Sequence, residues 1–336
     1  MEKIKKYYPQ MDMMKGIAML LMVMGHVIPW TLGEPTFLHR PICAVTQNEA
    51  WNSILYKLIY SFHMPLLFFV SGFLFYKAFD NSKEYMKRLV GKRTARLLVP
   101  YITTGTLLYL ARGHWGYWFL QDLFVLNILV GMLLVITRRL NAISELALYV
   151  VVYGLLIAFY RLTPSLTKDT YGIVVFSNLY FYFPAFMLGL LSKKYSHVYE
   201  FIQKGYILLF SFIGYILLFV VKEVDVPYIG FFASLFMPLA MIIFINSFCI
   251  QFPKKYSGGV MLIGKYSLEI YILHVFFVMV FPAVGQYMLS IDNWMSVFTF
   301  QLLYSFCLSL IAIICSMLAA KFVKTSTLLK RLLFGQ

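Results

Sequence analysis

Apolar runs about as long as a bilayer is thick recur along the whole of this sequence, and they dictate what it can fold into. A helix rising 1.5 Å per residue needs about 20 mostly apolar residues to cross a hydrocarbon core of about 30 Å. Windows of that size fall at 14–32, 54–76, 97–111, 118–136, 143–160, 172–191, 205–221, 229–249, 260–281 and 296–320. The third is the weakest, being short and interrupted by Pro100 and Gly105. Lipid offers no partner to backbone N–H and C=O groups, so runs of this length cross as helices. The predicted fold is all-α, a polytopic integral membrane protein with about ten transmembrane helices. Composition agrees: 61% of the 336 residues are apolar and 13% are charged, about half the charged share of a soluble domain. A soluble globule, a disordered chain and a disulfide scaffold are excluded.

Loop charge orients the chain. With the N-terminus in the cytoplasm, 23 of the 29 basic residues fall in cytoplasmic segments. Arg40, Lys57, Arg112, Arg161, Lys168 and Lys222 stay on the other side. A split this lopsided follows the positive-inside rule and places both termini in the cytoplasm. The formal net charge of +15 is then a matter of topology, and no nucleic-acid partner is expected. The first run has a basic leader like a signal peptide, but Pro29 and Trp30 follow it where small residues would mark cleavage, so it is expected to stay. No linker, low-complexity tract or internal repeat divides the sequence, which reads as a single transmembrane domain over 1–336. Cys43, Cys249, Cys307 and Cys315 have no metal-ligand spacing, and no metal is expected. Gly-rich phosphate loops, HExxH pairs and GxSxG elbows are absent.

Ionisable side chains at membrane depth cost a few kcal/mol each and so ask for a partner or a purpose. His26 lies 11 residues after Lys15, about 16 Å along the first helix and near the midplane. Eleven steps of 100° return to within about 20° of the start, so Lys15 and His26 share a face. Asp12 lies on the same stripe, where it can pair with Lys15, and Gly16 and Gly25 flank it and permit close approach. His63, beside Met64-Pro65, and His274, about nine residues beyond Lys265, reach a similar depth on two other helices. Ser267, Tyr271 and His274 share one face of the ninth helix, with Glu269 pointing elsewhere. A single intramembrane histidine is commonly a packing residue bonded across helices; for His274 that reading and a functional one stand level.

Two further clusters stand out. The segment 77–96 holds seven basic residues, more than orientation needs, with Lys92 and Arg96 one helical turn apart beside Arg93. Such a group at a cavity mouth suits a phosphorylated ligand, although attraction to anionic lipid explains it equally well. The run at 113–129 carries Trp115, which reads as part of an interfacial belt, and Trp118 with Gln121 and Asp122, which can also stack on a sugar and bond its hydroxyls.

The helix from Asp12 through Lys15, Gly16 and Gly25 to His26 resembles the opening helix of the membrane acyltransferase 3 family, whose mark is a basic residue, ten intervening residues and a histidine. FHMPLLFFVSGFLF at 62–75, KRTARLLVPY at 92–101, WFLQDLF at 118–124 and SLEIYILH at 267–274 agree in order. The Phe-His-Met-Pro wording and Lys15 look closest to the fucose 4-O-acetylase-like branch. Many relatives carry an appended soluble domain; none follows here, so the membrane domain is expected to do the chemistry alone. The resemblance implies transfer of an acetyl or other short acyl group from cytosolic acyl-coenzyme A to a hydroxyl of a cell-envelope saccharide or lipid-linked sugar, in the cell membrane. It implies His26 as general base, Lys15 and Asp12 fixing the helix near the donor, and Lys92, Arg93 and Arg96 on the nucleotide phosphates. His63 or His274 would orient the acceptor or donate to the oxyanion. The resemblance assigns no role to Asp122; Trp118, Asp122 and Ser267 are expected on the substrate from their own chemistry. Acetyl-CoA is the expected donor, and a homodimer is left open. The competing reading is a secondary transporter or lipid-linked sugar exporter, with midplane histidines relaying protons.

Overall fold

The computed structural model describes residues 7–32, 53–76, 84–112, 115–162, 179–224, 229–252, 257–279 and 281–336. Among them the secondary structure is helical throughout. The helices are α1 (Pro9–Leu32), α2 (Ile54–Tyr76), α3 (Tyr85–Arg93), a π-turn (Thr94–Leu98), α4 (Val99–Arg112), α5 (Trp118–Thr137) and α6 (Ala142–Leu162). They continue as α7 (Leu179–Lys194), α8 (Ser196–Ile202), α9 (Gly205–Glu223), α10 (Ile229–Gln251), α11 (Gly258–Lys265) and α12 (Ser267–Leu273). A 3₁₀ turn (His274–Phe276), α13 (Pro282–Leu289), α14 (Trp294–Val323) and α15 (Thr327–Phe334) complete the order.

Seven of these are long and apolar enough to cross a membrane, or eight if the bent pair α11–α12 counts as one span. The all-α polytopic membrane fold is as the sequence predicts. At the third and sixth expected spans, α4 and α7 are shorter helices, and residues 172–178 of the sixth lie outside the described residues, as does Cys43. The internal connection expected at 77–96 is helical from Tyr85 onward. The expected ninth span is two half-helices bent by 67° at Tyr266, whose amide reaches back to the Leu262 and Ile263 carbonyls together.

Lipid tails are as apolar as leucine, so packing inside the bundle comes from small residues that let backbones touch. A side chain on Gly264 would sit 1.8 Å from the Asp12 carbonyl oxygen, and one on Gly16 would sit 2.0 Å from that of Val260. This pair of glycines is where α11 crosses α1. Gly72 and Gly189 do the same for α2 and α7, where a side chain on either would sit 2.0 Å from the opposing carbonyl oxygen of Phe186 or Phe69. On α14, Ser305, Ser309, Ala312, Ser316 and Ala320 repeat at spacings of three and four and are buried, a smooth seam against α1 and α2. The core therefore gathers around α1 and α2.

Helices α6 and α9 lie at the rim. Ile143, Leu146, Val150, Leu155 and Leu162 of α6 are exposed, which in lipid is the favourable side for them. The helix is fastened at one end by Glu145, which accepts hydrogen bonds from Tyr149, Lys194 and Tyr195.

Pro100 accounts for the π-turn. It has no N–H for the Arg96 carbonyl four residues back, and its ring presses on that carbonyl. The preceding turn widens instead, with the Val99 amide bonding to Thr94 five residues back. The register beyond Arg93 shifts accordingly.

Candidate active site

A cavity of about 360 Å³ opens at the end of the bundle that carries the basic residues, within the usual range for small-molecule sites. Lys15 and Met19 of α1 form one wall, Val70 and Ser71 of α2 another, and Ser267 and Tyr271 of α12 a third. Arg93 and Arg96 reach it from α3 and the π-turn, and Phe119, Leu120 and Asn127 of α5 close it. Five residues singled out in the sequence, Lys15, Arg93, Arg96, Ser267 and Tyr271, on three separate segments, thus line one space.

Its electrostatics favour an anion. Lys15 is held by Asp12 at 2.7 Å, which leaves the two arginines as the net charge. Arg93 lies over the Phe75 ring at 5.6 Å. Burial, followed by repulsion from Arg96, lowers its pKa from the ordinary arginine value, against an opposing pull from Tyr85. An anion seated between the two guanidiniums would oppose both effects. Lys92 does not line the cavity and is exposed. Between Lys92 and Arg96 the helix passes from α3 into the π-turn.

His26 and His274 face each other with ring centroids 5.1 Å apart. The Tyr271 ring, a wall of the cavity, lies 6.3 Å from that of His274. Tyr271 therefore both lines the basic cavity and neighbours the histidine pair. His63 is buried and edge-on to Tyr60 at 4.9 Å, and Tyr60 is the side chain packed against Gly25 beside His26. The three histidines thus share one neighbourhood.

Hydrogen bonding fixes two of their tautomers. His63 Nδ1 donates to the Ile59 carbonyl at 2.8 Å, and His274 Nδ1 to that of Ile270 at 2.9 Å. A carbonyl only accepts, so each neutral ring carries its proton on Nδ1 and its lone pair on Nε2. Such rings suit holding a hydroxyl; donating to an oxyanion would first require a second proton.

Asp122 of α5 has no exposure, and neither carboxylate oxygen has a hydrogen-bond partner among the described residues. Trp118 stacks on Tyr182 at 5.4 Å, and Tyr182 on Phe68 at 4.4 Å. Tyr182 and Tyr271 both lie within electrostatic reach of Asp122. Neither Trp118 nor Asp122 lines the basic cavity. Trp115 packs over Gly105 and near Tyr101. Glu269, expected to point elsewhere, pairs with Lys324.

Sequence reasoning overlooked the π-turn, for which Pro100 was the available signal, Asn127, whose amide inside the apolar run 118–136 was the signal, and Tyr182, for which there was none. Among the described residues no cluster of three His, Cys, Asp or Glu could hold a metal.

Comparison with known proteins adds the following. The family model described as an acyltransferase domain matches residues 8–321. The nodulation protein NolL of Mesorhizobium japonicum is 28% identical over 184 residues, covering 48% of this chain and 44% of that protein. The NolL protein of Sinorhizobium fredii is 32% identical over 91 residues, 27% of this chain and 21% of its own. The chain thus spans less than half the length of these curated relatives.

Proposed function

The chain belongs to the membrane acyltransferase family whose domain covers residues 8–321, and from that premise we propose that it is an acyl-CoA-dependent O-acetyltransferase. Its acceptor is a hydroxyl of a cell-envelope saccharide or lipid-linked sugar, and it works in the cell membrane with the basic end facing the cytosol. The observation that carries this reading is the cavity lined by Lys15, Arg93 and Arg96, one wall of which, Tyr271, neighbours the His26–His274 pair.

In this reading Arg93 and Arg96 hold the phosphates of the donor at the mouth. Lys15, steadied by Asp12, keeps the arm of the donor along α1. The thioester reaches the histidines once Tyr271 turns aside. His26 removes the proton of the acceptor hydroxyl as its oxygen attacks the thioester carbonyl. The new ester C–O bond forms, the C–S bond breaks, and the proton passes to the departing thiolate. His63 and His274, each with a lone pair on Nε2, orient the acceptor. Trp118 and Asp122 receive its ring and a hydroxyl from the other side, and Ser267 faces the donor. The wording Phe62-His63-Met64-Pro65 is the feature that supports placing the chain near the fucose 4-O-acetylase-like branch.

The test is release of coenzyme A from labelled acetyl-CoA by purified protein in nanodiscs, with acceptor present. His26→Ala is expected to abolish it while eluting as the wild type does on size exclusion. Undiminished release by that variant would remove His26 from the mechanism. Cargo movement across the bilayer without any coenzyme A release would replace the enzyme reading with the transporter one.

A further inference from the structure

We propose that Phe334-Gly335-Gln336 is a positioning element for the anion site, pinning the π-turn of Thr94–Leu98 to α12 and thereby setting where Arg93 and Arg96 point. The proposal rests on the reading above that these arginines receive the phosphates of the donor.

A π-turn is loose by construction. It holds an extra residue per turn, and here Pro100 has removed the bond that would have tightened it. Something outside the helix has to fix its shape. Helix α15 ends against it. Gly335 takes φ +62° and ψ 33°, with its amide bonded back to the Arg331 carbonyl at 3.0 Å, a left-handed cap that favours glycine. A side chain at this position would lie 2.3 Å from the Ala95 carbonyl oxygen and 2.5 Å from the Arg96 Cα. The contact is backbone on backbone, at the residue that carries the guanidinium. Glycine is thus required twice, by its dihedral and by the approach.

The flanking residues hold the other wall. Phe334 is completely buried. The Gln336 Nε2 donates to Glu269 Oε1 at 3.1 Å, and Glu269, itself 2% exposed, also pairs with Lys324. Glu269 sits on α12 between Ser267 and Tyr271, which line the cavity. The Lys324 ammonium lies over the Tyr266 ring at 4.9 Å, at the break between α11 and α12. Three consecutive residues therefore join the two walls that meet the proposed donor: the π-turn through Gly335, and α12 through Gln336.

The experiment is steady-state acetyl transfer by the full protein in nanodiscs, comparing Gly335→Ala, Gln336→Ala, Arg96→Ala and the Gly335→Ala/Arg96→Ala double variant. Displacing a binding group by about an ångström costs up to about 100-fold, so Gly335→Ala is expected to raise KM for acetyl-CoA about tenfold. Its kcat and its KM for the acceptor should stay within about twofold, and the double variant should be no worse than Arg96→Ala alone, because both act through one guanidinium. Should Gly335→Ala fail to fold, Gln336→Ala tests the same link with the backbone intact and is expected to raise that KM about threefold. An unchanged acetyl-CoA KM in the folded variant overturns the proposal. So do fully multiplicative effects in the double variant, or losses in both KM values and kcat that track a falling melting temperature. An Arg96→Ala protein with the wild-type acetyl-CoA KM sinks the donor-site reading and this one with it. A raised KM there with none in Gly335→Ala or Gln336→Ala sinks the positioning role alone.

Discussion

Replacing Gly264 by alanine puts one methyl group where α11 crosses α1, and its effect can be worked from the contact geometry. The new Cβ would stand 1.8 Å from the Asp12 carbonyl oxygen, whereas ordinary contact begins near 3.4 Å. The obstructing atoms are backbone, so no side chain can swing aside; the helices must part by about 1.6 Å, the difference between those two distances. Overpacking of this kind costs about 1–3 kcal/mol. The displacement also separates Lys15, three residues along α1 from Asp12, from Ser267 and Tyr271 on the opposite wall. A shift of that size in a binding constellation is worth up to about 100-fold in rate. Acetyl transfer in nanodiscs and thermal unfolding followed by tryptophan fluorescence would be measured on the same preparations. The expected outcome is a lower melting temperature together with a loss of kcat/KM well beyond what the unfolded fraction explains. Gly258→Ala, where an added side chain meets nothing within 4 Å, is the control and should be close to neutral. If Gly264→Ala kept the melting temperature and turnover of the wild type, the close crossing and the rigidity inferred from it would both be wrong.

Other outcomes follow from the same structure. Asp122→Leu is expected to raise stability by about 1–3 kcal/mol, since a buried carboxylate without a bonded partner among the described residues is replaced by an apolar group, while raising the acceptor KM; a less stable variant would mean that the acid has a structural partner. Glu145→Gln weakens the tie between α6 and α7 and should cost about 1–3 kcal/mol, read as faster proteolysis of the 138–141 turn without loss of acetyl-CoA affinity. Burial, together with the bond to Glu145, pushes the Tyr195 pKa up to about 12. Because the folded value is the higher one, this contribution is complete below about pH 10 and fades as pH rises toward 12. Tyr195→Phe should therefore narrow its stability gap from the wild type across that alkaline window, as measured by unfolding at pH 9, 10, 11 and 12.

Where helices are regular, sequence arithmetic carried well. The apolar runs mark the spanning helices because lipid admits few alternatives, and the facing of α1 follows from 100° per residue because no proline or bulge interrupts it between Lys15 and His26. The Asp12–Lys15 pair and the close approach at Gly16 were legible for the same reason. Regularity fails at Arg96 and again at Tyr266. At Arg96 the disturbance comes from Pro100 downstream, and spacing counted at 100° per residue does not show it. At Tyr266 only Gly264, two residues earlier, hints at a break, and the need to press against α1 is a property of the other helix. The facing of His26 and His274 joins residues 248 positions apart, and no one-dimensional pattern states it. The same holds for Asp122, whose lack of a bonded partner depends on what α7 and α12 bring near it.

At 30 residues, α14 measures about 45 Å from end to end, half again the thickness of the hydrocarbon slab it has to traverse. Its serine and alanine seam fixes its slope against α1, leaving the surplus to be absorbed by the lipid or by projection into water. The protein therefore imposes its own geometry on the surrounding bilayer along that flank, like a beam whose tilt was decided before the floor was laid.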